Sequence, residues 1–222
     1  MRFIYLIVFL FSISFAHSQD YYRFKSDFVI KSKTPEGKQQ LTVGKVYYDK
    51  NIKKIIFDIT FPEKEIWVQK DTTLYKIVNN SIVEEQNTPN IAEFTIYHLI
   101  LNGNLTDYGL KNTKFKITDV EKAGKSIIST WEPPEELKDK IGPILMQNTN
   151  QQLTGIVFKN PEGEIISRQF IRNYLQIKGL SVPQEIINEV HIEGKKYYEI
   201  TDFSNTVINE FTDEEKYDYK IP

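Results

Sequence analysis

There is no cysteine anywhere in this 222-residue chain. Disulfides, zinc–thiolate sites and thiol nucleophiles are therefore excluded. Histidine is almost as scarce, with three in total, of which only His98 and His191 lie beyond the first two dozen residues. They are far apart on different expected elements, so a two-histidine metal motif or a histidine-based triad has little to work with. His98 shares a helical run with Phe94 and Leu101, which argues for a structural role. No Gly-x-Gly-x-x-Gly fingerprint, phosphate loop or nucleophile elbow occurs. The adjacent acidic pairs Glu84-Glu85, Glu135-Glu136 and Glu214-Glu215 are poor candidates for a shared glycosidase-type site, because neighbours on a strand point to opposite faces. Nothing here supplies a nucleophile, a metal site, a cofactor motif or an acid/base pair, and the chain is not expected to be an enzyme.

Long apolar runs are absent except at the start. MRFIYLIVFLFSISFAHSQ has a basic Arg2, an apolar stretch from Phe3 to Phe15, and small residues Ala16 and Ser18 placed for cleavage before Gln19. This pattern predicts a secretory signal peptide over residues 1–18. Its apolar part is shorter than the roughly 20 residues of a membrane span, and no later segment is apolar enough to be one. The expected mature chain, residues 19–222, is a soluble, exported, periplasmic protein without a transmembrane anchor. Loss of Arg2 changes 28 basic residues to 27 against 30 acidic ones, moving the net charge from -2 to -3. That balance gives no case for nucleic acid or an anionic membrane surface.

What is present is a strong period-2 pattern over residues 22–85. Tyr22, Phe24, Phe28 and Ile30 share one face with Ser26 between them, while Arg23, Lys25, Asp27 and Lys31 share the other. A Thr34-Pro35-Glu36-Gly37 turn follows, then strand runs over 41–48 and from Ile55 until Pro62 interrupts. A tight pair over 66–69 and 74–77 surrounds Lys70-Asp71-Thr72-Thr73. From Asn90 the period changes: Asn90 and Glu93 form a capping box, and Ile91, Phe94, Tyr97, His98 and Leu101 recur at helical spacing until Gly103. Strand signals resume over 115–120 and 126–131, a short helix is expected from Pro134 to Lys140, and hairpins follow around Asn160-Pro161-Glu162-Gly163 and Glu193-Gly194. The end, TDEEKYDYKIP, alternates Tyr217, Tyr219 and Ile221 with polar residues and reads as a docked strand.

The predicted fold is mainly β with some α, a single-domain curled antiparallel sheet covered by helices. With 13 tyrosines, 14 phenylalanines and 2 tryptophans, two arrangements fit this composition. One is an ordinary filled core, and the other is a curved sheet enclosing an apolar cavity beneath a helix.

The order of features resembles the periplasmic outer-membrane lipoprotein carrier family, the LolA/LolB type, over most of the mature chain. Phe24-Lys25-Ser26-Asp27-Phe28 is similar to the family's first strand, and Gly44-Lys45-Val46-Tyr47-Tyr48 to its Gly-x-aromatic strand. Phe57 followed by Pro62 matches an aromatic before the strand-ending proline, and Ile66-Trp67-Val68 through Asp71 to Leu74-Tyr75 looks like its pair of strands around an Asp-Gly turn, here without the glycine. Residues 90–102 take the place of the lid helix, and Asp213, Tyr217, Tyr219 and Pro222 reproduce the spacing of its closing segment.

The resemblance implies a half-barrel whose apolar concave face binds acyl chains. It implies a soluble carrier of lipoproteins or lipids, loaded by an inner-membrane donor complex, discharging to an outer-membrane acceptor and needing no cofactor. On this reading the inner wall comprises Phe24, Phe28, Ile30, Val46, Tyr48, Phe57, Ile59 and Trp67, with Phe94 and Leu101 facing down from the lid, and Tyr217 and Tyr219 form the last rung of the sheet. The family's lid-controlling arginine has its counterpart in Lys50, a point charge without the planar donor fork. The anchored receptor of the family carries a cysteine after its signal, so this chain resembles the soluble shuttle. The alternative implied role is a periplasmic sensor or adaptor that uses the same fold to bind a protein partner.

Overall fold

A computed structural model describes residues 20–88 and 94–222. The expected signal peptide and the Asn90/Glu93 capping box lie outside these residues. Thirteen strands form one antiparallel sheet. The first six, β1 (Arg23–Lys33), β2 (Gln39–Asp49), β3 (Lys54–Phe61), β4 (Glu65–Lys70), β5 (Thr73–Val78) and β6 (Ser81–Asn87), step outward from the middle to one edge. The chain then crosses to the opposite edge through helix α1 (Ile96–Leu101) and returns through β7 (Lys116–Ala123), β8 (Ser126–Glu132), β9 (Ile144–Thr149), β10 (Gln152–Lys159), β11 (Ile165–Ile177), β12 (Leu180–Ile192) and β13 (Lys195–Ile208). Strands β13 and β1 pair, joining the two meanders, while β6 and β7 remain as edges. The sheet is thus an open half-barrel, and the crossover between its edges lies over the concave face.

Local chemistry accounts for the register. The β4–β5 turn, which has Thr72 where the glycine is missing, is made instead by Asp71 in the left-handed region, φ 53°, which short polar side chains tolerate. Gly44 has no alternative: a β-carbon there would lie 2.5 Å from the Asp58 carbonyl and 3.0 Å from the Phe28 ring. Ser26 is small because β1 and β13 shift register beside it. Its hydroxyl donates to the Ser204 carbonyl at 2.9 Å and meets Thr206 Oγ1 at 2.8 Å.

Period 2 divides the apolar residues between two cores. The larger lies on the concave face and includes Phe24, Phe28, Val46, Tyr48, Ile55 and Ile59 from the first meander. Tyr97, Leu99, Ile100 and Leu101 from α1, and residues such as Ile156, Ile171 and Phe203 from the second meander, complete it. The smaller core, Tyr47, Ile56, Val68, Ile77 and Tyr217, is on the convex face.

Three expectations need correction. The helix begins at Ile96, since Thr95 is extended (φ -74°, ψ 148°) and holds Phe94 outside it. Its end follows expectation: Gly103 (φ 66°) donates to the Ile100 carbonyl and Asn104 to that of Leu99, a Schellman closure. The segment after Pro134 makes only a 3-10 turn, Glu135–Leu137. The C-terminus is not a strand and adds to neither edge of the sheet. Instead Glu214–Tyr217 forms a helical turn, α2, and Tyr217 inserts into the convex core with Tyr219 and Ile221 beside it. The alternation that suggested a strand is an apolar strap across the back of the sheet.

Candidate functional site

Between the concave face and the crossover lies a cavity of about 870 Å³, within the range of ligand-binding pockets. Its walls come from both meanders: Phe28 and Ile30 of β1 and Ile55 and Phe57 of β3 on one side, Phe158 of β10, Ile186 of β12 and Phe203 of β13 on the other. The crossover supplies the roof through Phe94, Ile96, Tyr97, Tyr108 and Leu110, and the β8–β9 connection closes the rim with Leu137 and Ile141. At that rim Lys114 Nζ pairs with Glu136 Oε1 at 2.6 Å.

Of the residues expected on the inner wall, Phe28, Ile30, Phe57 and Phe94 line the cavity. Phe24, Val46, Tyr48, Ile59 and Leu101 belong to the same core but are buried in it without lining the cavity. Trp67 stands opposite Phe57 at the margin, its Nε1 donating to Glu65 Oε2 at 2.8 Å. Lys50 reaches the end of α1: its Nζ donates to Asn102 Oδ1 at 3.2 Å and to Asp20 Oδ1 at 3.1 Å. It touches a side chain at the helix end.

Sequence reasoning placed Tyr97 on the helix but not in the site. Its ring lies 5.1 Å from that of Phe24, 6.1 Å from Tyr48, 6.4 Å from Phe57 and 6.2 Å from Phe203, joining strands of both meanders. Burial pushes its phenol well above the ordinary range. A second attachment is the hydrogen bond between the Tyr48 hydroxyl and His98 Nδ1, 2.7 Å. Tyr97, His98 and Asn102 therefore fix α1 to β2 and its neighbours. The whole far wall, Phe158, Ile186 and Phe203, was also missed, although each sits in an alternating run. Among the described residues no group of three or more His, Asp or Glu is placed to hold a metal ion, and no helix is long and apolar enough to cross a membrane.

No family model and no curated protein matches the sequence. Solved structures do match the fold. A LolA superfamily protein from Nitrosomonas europaea superposes with a TM-score of 0.60 at 14% identity, covering 89% of this chain and 90% of its own. A domain described as outer membrane lipoprotein-sorting, from Vibrio parahaemolyticus, gives 0.59 at 9% identity, with 88% and 89% covered. A DUF1329 family protein from Desulfovibrio piger gives 0.55 at 11%, with 90% and 91% covered. At such identities the likeness concerns the backbone, and it agrees with the open sheet, its strand-to-strand walk and the roof over its concave face. The chain has a LolA-like half-barrel fold.

Proposed function

We propose that this protein is a non-catalytic periplasmic carrier that binds the acyl chains of lipoproteins or lipids in its cavity and shuttles them toward the outer membrane. The observation that carries the reading is the roofed, mainly apolar cavity of about 870 Å³ on the concave face. Burying an acyl chain there gains about 0.8 kcal/mol per methylene, so several full-length chains sealed inside would be held too tightly to release. A roof gripped by Tyr97 at α1 but closed at the rim only by the solvent-exposed Lys114–Glu136 pair keeps loading and unloading near balance.

The test is to isolate the protein from its native envelope and analyse bound material by mass spectrometry. Lipoprotein or lipid, recovered in proportion to protein, is the expected result. A ligand-free protein accompanied by one stable protein partner would favour the sensor or adaptor reading. One observation supports that second reading: the edge strands β6 and β7 are exposed along their whole length, and such edges can accept a partner's strand.

A further inference from the structure

Apart from Gln69 on the opposite wall and scattered threonines, the cavity lining carries one polar rung that crosses three adjacent strands. Glu199 of β13 lies opposite Asn188 of β12, which lies opposite Gln169 of β11, and all three face the cavity. One rung away on the same face are Ile30, Thr201 and Ile186, and one further Phe28 and Phe203. The cavity is therefore graded along the strands, with an apolar region on one side of a polar rung.

That rung presents acceptors. Asn188 Nδ2 donates to Glu199 Oε1 over a long 3.4 Å, while Asn188 Oδ1 is buried with no partner. Reversing the Asn188 amide would set its oxygen against the carboxylate, so the orientation is fixed by charge. Among the described residues the other acid–base side chains of the lining, Lys114 and Glu136, satisfy each other at the rim. Glu199 is left as the lining carboxylate with no cation paired to it among the described residues. It lines the same cavity as Tyr97 of the roof, and its charge adds to burial in pushing up that phenol.

Resting on the carrier reading, we infer that the cavity selects amphiphiles whose polar end donates hydrogen bonds, with an ammonium favoured and a carboxylate or phosphate rejected. The polar end pairs with Glu199 and Asn188 Oδ1, and the chain runs toward Phe28, Phe57 and Phe203. A purely apolar cargo would leave the buried acceptor of Asn188 unpaired, and an anionic head would face Glu199 at close range.

The test uses three probes of one chain length, dodecylamine, dodecanol and dodecanoate, each displacing N-phenyl-1-naphthylamine from the full protein at neutral pH. The amine is expected to bind at least about tenfold more tightly than the carboxylate, the scale of a charge-assisted hydrogen bond. Glu199→Gln, checked by an unchanged melting temperature, should bring amine and carboxylate within about twofold while leaving dodecanol unaffected. Equal binding of all three probes by the wild-type protein, or preference for dodecanoate, would overturn the inference and leave the apolar carrier reading intact. If none of the three displaces the dye, both fail together. The wild-type ranking alone decides the matter should the variant not fold.

Discussion

Tyr97 is where the crossover grips the sheet, because its ring touches Phe24, Tyr48, Phe57 and Phe203 at once. Truncation to alanine removes a large buried side chain from a contact that cannot fully collapse, so Tyr97→Ala should cost about 3–5 kcal/mol. In a chain of this size that lowers the melting temperature by roughly 10 °C or more, as calorimetry would record. Tyr217 poses the opposite case. Its ring is fully buried, 5.4 Å from that of Tyr47 and 4.7 Å beneath the Arg23 guanidinium, yet its hydroxyl has no hydrogen-bond partner. Burial pushes the phenol upward, so the group stays neutral. Tyr217→Phe removes an unsatisfied hydroxyl and should stabilise by up to about 1 kcal/mol, whereas a fall in melting temperature would show that the oxygen does have a partner. Phe94 lines the cavity but is 38% exposed, so Phe94→Glu should fold normally. It should also weaken uptake of N-phenyl-1-naphthylamine by about tenfold, the effect of replacing an apolar contact with a charge.

Among the elements, the C-terminal strap holds the convex face by apolar contact and by ion pairs at both ends. Lys25 Nζ meets Glu210 and Asp213 at 2.6 and 2.7 Å, Lys216 meets Asp58 at 2.9 Å, and Lys54 meets Asp218 at 2.7 Å. Arg23 bridges Asp49 and Glu214 at 2.8 and 3.0 Å. Deleting residues 216–222 uncovers Tyr47, Ile56, Val68 and Ile77 and should lower the melting temperature by about 10 °C, the thermal equivalent of losing a buried aromatic. An unchanged melting temperature would make the strap ornamental. Asp218 adds a pH signature. Hydrogen bonds from Lys220 and then from Lys54 hold its carboxyl down to about 2. A carboxyl lowered in this way contributes stability that is complete above its unfolded pKa of about 4 and is lost as pH falls through its folded value. Because its side chain is 44% exposed, solvent screens the contribution to about 0.5–1 kcal/mol. The melting temperatures of wild type and Asp218→Asn should therefore differ at pH 7, converge below pH 4 and coincide near pH 2.

For the molecule as a whole, what could be read in advance depended on whether the determining contacts were local. Strands β1 to β5 announce themselves because alternation and turn chemistry act within a few residues, and the Gly103 stop of α1 is equally local. Strand β9 gave little warning: only Ile144 and Met146 are buried before Gln147-Asn148-Thr149. The C-terminal alternation was legible but not its use, since packing on a face depends on Tyr47, Ile56, Val68 and Ile77, which are distant in sequence and meet only in the folded sheet. Four of the ten expected wall residues line the cavity. Parity fixed the face but not where the roof presses against it. The rung of Glu199, Asn188 and Gln169 depends on the register of three long strands and could not be read from any one of them. The same topology leaves the cavity two ways to open, at the rim where Lys114 meets Glu136, or at α1, where Lys50 holds Asn102 and Tyr48 holds His98. The rim pair is the more exposed and stands in solvent on both partners, so it is the weaker closure. Since the chain has no cysteine of its own, Lys114→Cys with Glu136→Cys gives a unique pair for a short bis-maleimide bridge. Bridging after loading with N-phenyl-1-naphthylamine should slow its release by about tenfold or more, as expected when an opening step gates exit. Unchanged release from the bridged protein, together with faster release from Tyr48→Phe, would move the exit to α1.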